Sequence, residues 1–150
     1  MAGVGFSAVS AEIATGSGSA KTLLQLVAAA NHAVIIELIE ISFDGTSSTG
    51  EPIKVDFLRQ TTAGTMSALT LVKYPADEYA ETLQTTAQHT ATVEPTAGDV
   101  LRSFEVHPQL GKETVFSFAR EIKIGGGDRL GIRVTAGASI NAIVSALGWE

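Results

Sequence analysis

Apolar and polar residues alternate along much of this chain. In "PIKVDF", Ile53, Val55 and Phe57 fall on one side, with Lys54 and Asp56 on the other. In "DRLGIRVTA", Leu130, Ile132, Val134 and Ala136 share a face opposite Arg129, Arg133 and Thr135. A period of two is what a strand shows when one face meets a core and the other meets water. Turn-forming clusters separate such runs at Gly16–Ser19, Asp44–Gly50, Thr62–Gly64, Pro75–Asp77, Glu94–Asp99, His107–Gly111, Gly125–Asp128 and Ala136–Gly137. The runs between them are mostly about eight to twelve residues long, the spacing of sandwiches and barrels. The pattern predicts an all-β chain folded as one domain over residues 1–150, an antiparallel two-sheet β-sandwich of about eight to ten strands.

Three stretches depart from simple alternation. "KTLLQLVAAANHAVIIELIEI" places Leu23, Leu26, Val27 and Ala30 at helical spacing. Its second half is rich in β-branched residues (Val34, Ile35, Ile36, Ile39, Ile41), and Asn31-His32 makes a turn, so two strands are expected. "YPADEYAETLQTTA" is the place for a short helix or a long ordered loop. The closing run "SINAIVSALGWE" is apolar on both faces: Ile140, Ala142, Val144 and Ala146 on one, Ile143, Leu147 and Trp149 on the other. A strand of that kind must be covered twice. One cover is the chain's own core; the other is a helix or loop of the same chain, or a neighbouring subunit. Ile143, Leu147 and Trp149 are therefore the candidate oligomer interface.

Composition narrows the partners. Charged residues make up 17% of the chain, fewer than usual, and the net charge is -6. Nucleic-acid backbones and anionic membranes select for Lys and Arg, so neither is expected as a partner. The absence of cysteine removes disulfides, thiolate catalysis and Cys-based zinc sites, and fits synthesis in a reducing cytoplasm. "MAGVGFSAVSAE" lacks the basic start and apolar core of a signal peptide. The most hydrophobic window, Leu23 to Ile41, carries Gln25, Asn31, His32, Glu37 and Glu40, which argues against a membrane span.

Candidate chemistry is sparse. Gly125, Gly126 and Gly127 before Asp128 look at first like a phosphate cradle. A dinucleotide loop needs a sixth-position glycine and a following helix; here the sixth position is Leu130 and a period-two strand follows. The cluster reads as a tight turn. His32, His89 and His107 are dispersed, and no G-x-S-x-G elbow surrounds any serine. Asp77, Glu78 and Glu81 read as a solvated loop face, and Arg59, Arg102, Arg120, Arg129 and Arg133 as interface or rim cations on strands. The residues thus point to no catalytic centre, metal or cofactor.

The segments "ISFDGTSSTGEPIKVDFLRQTTAGTMSALTLVK", "LQTTAQHTATVEPTAGDVLRSFEVHPQLG" and "GGGDRLGIRVTAG" resemble small virion proteins of tailed bacteriophages, over roughly residues 20 to 150. The closing Gly-Asp turn, alternating strand and apolar last strand also resemble the jelly-roll of the tumour necrosis factor type, though with fewer aromatics than its trimer cores carry. The resemblance implies a jelly-roll-like sandwich that acts as a capsid decoration, or cement, protein stabilising the head. Its partners would be itself, as a homotrimer, and the major capsid protein of a phage shell. It would be made in the host cytoplasm and placed on the capsid surface. A carbohydrate- or receptor-binding sandwich on a tail or fibre is the alternative, with Tyr74 and Tyr79 flanking the acidic loop and one Trp as its aromatic supply. A cupin-like enzyme, which needs clustered His and Glu ligands, is a distant third.

Overall fold

A computed structural model describes residues 3–78 and 80–150. In chain order its strands are β1 (Gly5–Val9), β2 (Ile13–Ala14), β3 (Ala20–Val27), β4 (Val34–Phe43), β5 (Ile53–Gln60), β6 (Thr65–Leu69) and β7 (Val72–Lys73). They continue with β8 (Thr86–Val93), β9 (Ala97–Val106), β10 (Gly111–Val115), β11 (Ile122–Ile124), β12 (Arg129–Thr135) and β13 (Asn141–Trp149). One sheet, here sheet A, runs β10-β4-β13-β1-β7, with β11 continuing beside β4 and β2 beside β13; sheet B runs β6-β8-β3-β12-β5-β9. The chain steps back and forth between the sheets, and every pairing is antiparallel. Thus β13 lies between β1 and β4 in one layer while β12 lies between β3 and β5 in the other. That is jelly-roll wiring, as expected. The elements beyond the expected number are β2, β7 and β11, pieces of two or three residues.

The alternation read from the sequence holds where the inner faces meet. Ile53, Val55 and Phe57 of β5, with Leu130, Ile132 and Val134 of β12, are fully buried or nearly so. They pack against Ile36, Ile39 and Ile41 of β4 and Ala142, Val144 and Ala146 of β13 in one core. Fully burying such a side chain contributes about 1.5–3 kcal/mol.

The segment that mimicked a helix forms β3 and β4, in opposite sheets. Leu23, Leu26 and Val27, which gave the helical spacing, lie in β3, where Leu23 to Leu26 are all buried; β4 breaks its alternation for a separate reason. The register between β13 and β4 slips so that Leu147 faces Leu38 but Gly148 faces Ile36, leaving Glu37 as an extra residue. This bulge breaks the period of two, so Ile36 and Ile39, three apart, both point into the core. The Glu37 carbonyl accepts the Phe116 N–H at 2.8 Å, where the neighbouring edge passes from β10 to β11.

The stretch from Tyr74 to Thr85 is a loop, with no helix among its described residues. It belongs to an insertion, β6 to β8, that crosses from the edge of sheet B to β1 of sheet A and returns. The side chain of Glu150 fastens it, accepting from the N–H of Gln84 (2.8 Å) and from the N–H and hydroxyl of Thr85 (2.6 and 2.5 Å).

Part of the outer face of sheet B is dry, contrary to the simple reading of the alternation. Thr22, Gln25, Asp56 and Gln60 point away from the core yet are buried. Gln25 Nε2 donates to Gln60 Oε1 (2.7 Å) and to the Thr62 carbonyl (3.0 Å), and Gln60 Nε2 donates to Thr22 Oγ1 (2.8 Å). Glu94 then accepts from both the N–H and the hydroxyl of Thr22, each at 2.7 Å. The loops carrying Thr62 and Glu94 cover this face, and the polar chain satisfies the groups they bury.

Candidate functional site

The outer face of sheet A carries several exposed or half-buried apolar residues. The inward positions of β13 are Ala142, Val144 and Ala146, so Ile143, Leu147 and Trp149 point outward, as the sequence pattern requires. Ile143 is 41% exposed, and Leu147 and Trp149 are half-buried. All three expected interface residues therefore lie on one face of one strand.

Register extends that face sideways into residues the sequence reading missed. Leu147 lies between Ser7 of β1 and Leu38 of β4; beyond them come Val72 of β7 and Val115 of β10. The row Val72–Ser7–Leu147–Leu38–Val115 thus crosses the full width of the sheet, and its outer members are 61% and 63% exposed. Beside it, Trp149 faces Gly5 on one side and Ile35 on the other. Ile35 and Leu38 both face outward only because the Glu37 bulge resets the alternation between them. No single-strand pattern could have announced that.

At the lower end of the row a groove of about 400 Å³ opens between Ile35, Trp149, Phe118 and Ala119, rimmed by Glu37, Glu121 and Lys123. Phe118 is 94% exposed. Two residues earlier Phe116 is buried, making an edge contact with Phe57 at 6.3 Å between ring centres. A period of two would put both rings on one side. A turn prevents it: the Arg120 N–H returns to the Ser117 carbonyl at 2.9 Å, and Ala119 adopts φ +66°. An alanine in the left-handed region is strained by roughly 1–2 kcal/mol, so the rest of the loop must hold it there.

The other sequence candidates have structural employment. Gly125–Asp128 is a turn, closed by Asp128 N–H to the Gly125 carbonyl at 3.0 Å. A Cβ on Gly126 would stand 2.2 Å from the Ala30 carbonyl oxygen, which explains that glycine by packing. The arginines serve the fold more than a rim. Arg133 pairs with Asp56, Arg129 bonds Gln25, Arg59 bonds the Lys123 carbonyl, and Arg102 lies over the Phe116 ring at 5.7 Å. Arg120 sits in the Phe118 turn and not on a strand. Asp77, Glu78 and Glu81 are exposed on the loop, and Tyr79 between them lies outside the described residues. His32, His89 and His107 sit on separate elements, and no group of three or more His, Asp or Glu with metal-holding geometry forms among the described residues.

In comparisons with known proteins, no protein family, no curated protein and no solved structure matches this chain.

Proposed function

We propose that this chain is a structural protein of a tailed-bacteriophage virion, a capsid decoration protein that stabilises the head. In this reading it is made in the host cytoplasm, assembles as a homotrimer and docks on the major capsid protein at the outer surface of the shell. The observation that carries it is the row across sheet A from Val72 through Leu147 to Val115, apolar but for Ser7, with Trp149 and Phe118 beside it. Contiguous exposed apolar surface marks a contact site with other protein. A cement protein acts through such contacts and needs no reaction centre. Each copy adds free energy only to the assembled shell, and the lattice multiplies weak contacts through effective concentration. The jelly-roll core and the capped outer face of sheet B supply a rigid body for that work. The test is co-sedimentation of the purified chain with phage heads that lack their decoration. Saturable binding that raises the heads' resistance to heat supports the proposal, and failure to bind removes it.

One observation favours the second reading, a carbohydrate-binding sandwich. The groove sets an indole and a phenyl ring beside two carboxylates and an ammonium, a mixture suited to the apolar face and hydroxyl rim of a sugar ring. Binding of host-surface glycans that is lost in Trp149→Ala, together with no binding to heads, would select it.

A further inference from the structure

We infer that the groove lined by Trp149 and Phe118 is a binding site for a small organic cation, an alkylammonium ion. This gives the groove a ligand of its own and does not depend on the shell reading.

The apolar lining comes from Ile35, Trp149 and Phe118. Trp149 is half-buried, and its indole rests against Gly5, where an added Cβ would meet the ring at 3.2 Å. That contact sets the indole in place before any ligand arrives. Phe118 is 94% exposed and is presented by the turn in which Ala119 is held at φ +66°. Strain of that kind persists where surrounding structure over-determines it, and it gathers at working positions. The face of an aromatic ring carries partial negative charge and attracts cations, and indole does so best.

The rim decides the sign of the ligand. Glu37 and Glu121 bring two carboxylates and Lys123 one ammonium, so the groove is net negative. None of the three forms an ion pair with another or with any other described residue. A purely apolar ligand would take water from the carboxylates without replacing its hydrogen bonds. An anion would be repelled by the rim and by the ring faces alike. A cation on a hydrocarbon body satisfies both parts: its carbons lie against Ile35 and the rings, and its charge lies among the carboxylates. The groove's volume of about 400 Å³ is that of a small-molecule site.

The test titrates the dilute full chain at constant ionic strength and reads the emission of Trp149, the only Trp in the sequence. Choline is the probe. Its comparators are the uncharged isostere with carbon in place of the quaternary nitrogen, and glucose. Choline should saturate the emission change at millimolar concentrations and bind about ten-fold more tightly than the isostere. Glucose should leave the emission unchanged. Phe118→Ala should weaken choline binding about five-fold, and the double variant Glu37→Gln, Glu121→Gln by about the same factor. Lys123→Gln should tighten it about three-fold, a gain that damage to the fold does not produce.

Equal binding of choline and its isostere would overturn the inference. So would the absence of any response to choline, or a Lys123→Gln chain that binds it more weakly than the parent. Binding of glucose without choline would return the groove to a sugar. An emission change that follows protein concentration and ignores choline would give the groove to a second copy of the chain. Either result overturns the assignment to a cation.

Discussion

Asp56 and Arg133 face each other directly across β5 and β12, and Arg133 Nη2 meets Asp56 Oδ2 at 3.0 Å. The pair sits on the outward side of sheet B, yet the Asp56 side chain is only 3% exposed. Ser103 of β9 donates to its other oxygen at 2.7 Å, so three adjacent strands converge on one carboxylate. A cross-strand ion pair at the surface is worth little; this one is screened from water and hydrogen-bonded on both oxygens.

Stability should therefore fall in acid, and Asp56 should account for part of the loss. Burial alone pushes its carboxyl up, but the Ser103 hydroxyl, the Arg133 guanidinium and the Lys54 ammonium outweigh burial and hold it below its ordinary value of 3.8. A group depressed in the folded state contributes fully above its unfolded value, and that contribution is lost as pH drops through the folded one. Asp56→Asn should cost about 2–3 kcal/mol in urea unfolding at pH 7. The gap from the parent chain should narrow below about pH 4. A gap that stays constant down to pH 2 would assign the cost to packing and not to charge.

The polar layer over sheet B makes a second expectation. Gln60 lies flat across Gly131, where an added Cβ would meet the Gln60 side-chain amide at 2.3 to 2.6 Å. Gln60 cannot swing aside freely, because it is buried and bonded to both Gln25 and Thr22. Gly131→Ala should destabilise by about 1–3 kcal/mol, and the cost should shrink in the Gln60→Ala background. Additive effects in that double-mutant cycle would mean the two positions do not touch.

How legible the fold was in the sequence can be judged strand by strand. β5 and β12 were readable because alternation survives in both, and β13 because its inward side is apolar throughout and its outward side carries Ile143, Leu147 and Trp149. What the sequence hid was where the outward positions go. Asp56 was expected on a wet face, and side chains from β9 and β12 bury it; beside it, loops distant in the chain bury Thr22 and Gln25. The candidate face was half legible: Ile143, Leu147 and Trp149 come from one strand's pattern. Leu38 and Ile35 join them through the Glu37 bulge, and Val72 and Val115 through pairings between distant segments. Phe118 was hidden in "VFSFAR", because a turn at Ala119 reverses a spacing that otherwise reads as one strand face.

Glu150 should act as a clip. Its carboxylate accepts from Gln84 and Thr85 in the returning arm of the insertion, while its backbone pairs with Val4 at 3.1 Å in both directions. Hydrogen bonds to a charged acceptor contribute about 1.5–3 kcal/mol each at most, less where water can compete. Glu150→Ala should cost about 1–2 kcal/mol overall. It should also speed amide exchange at Gln84 and Thr85 while leaving the β5 and β12 amides protected. Slow exchange at Thr85 in the variant would show that the loop is held by other contacts.

On the proposed self-association, Trp149 should separate folding from assembly. Its indole rests on Gly5, its cross-strand partner, where an added Cβ would approach the ring at 3.2 Å and the Tyr74 carbonyl oxygen at 1.9 Å. The ring is half-buried in the single chain, not sealed in the core. Truncating a fully buried Trp costs about 3–5 kcal/mol, so Trp149→Ala should cost the isolated chain only about 1–2 kcal/mol. The rest of the loss should appear in self-association, where the exposed half of the ring finds its cover. Urea unfolding at low concentration measures the first part, and sedimentation at high concentration the second. Emission of this lone Trp should be intermediate in dilute solution and shift to the blue on assembly. If the variant loses the full amount as a monomer and associates like the parent, the indole serves the fold alone, and the outward face of β13 is not where copies meet.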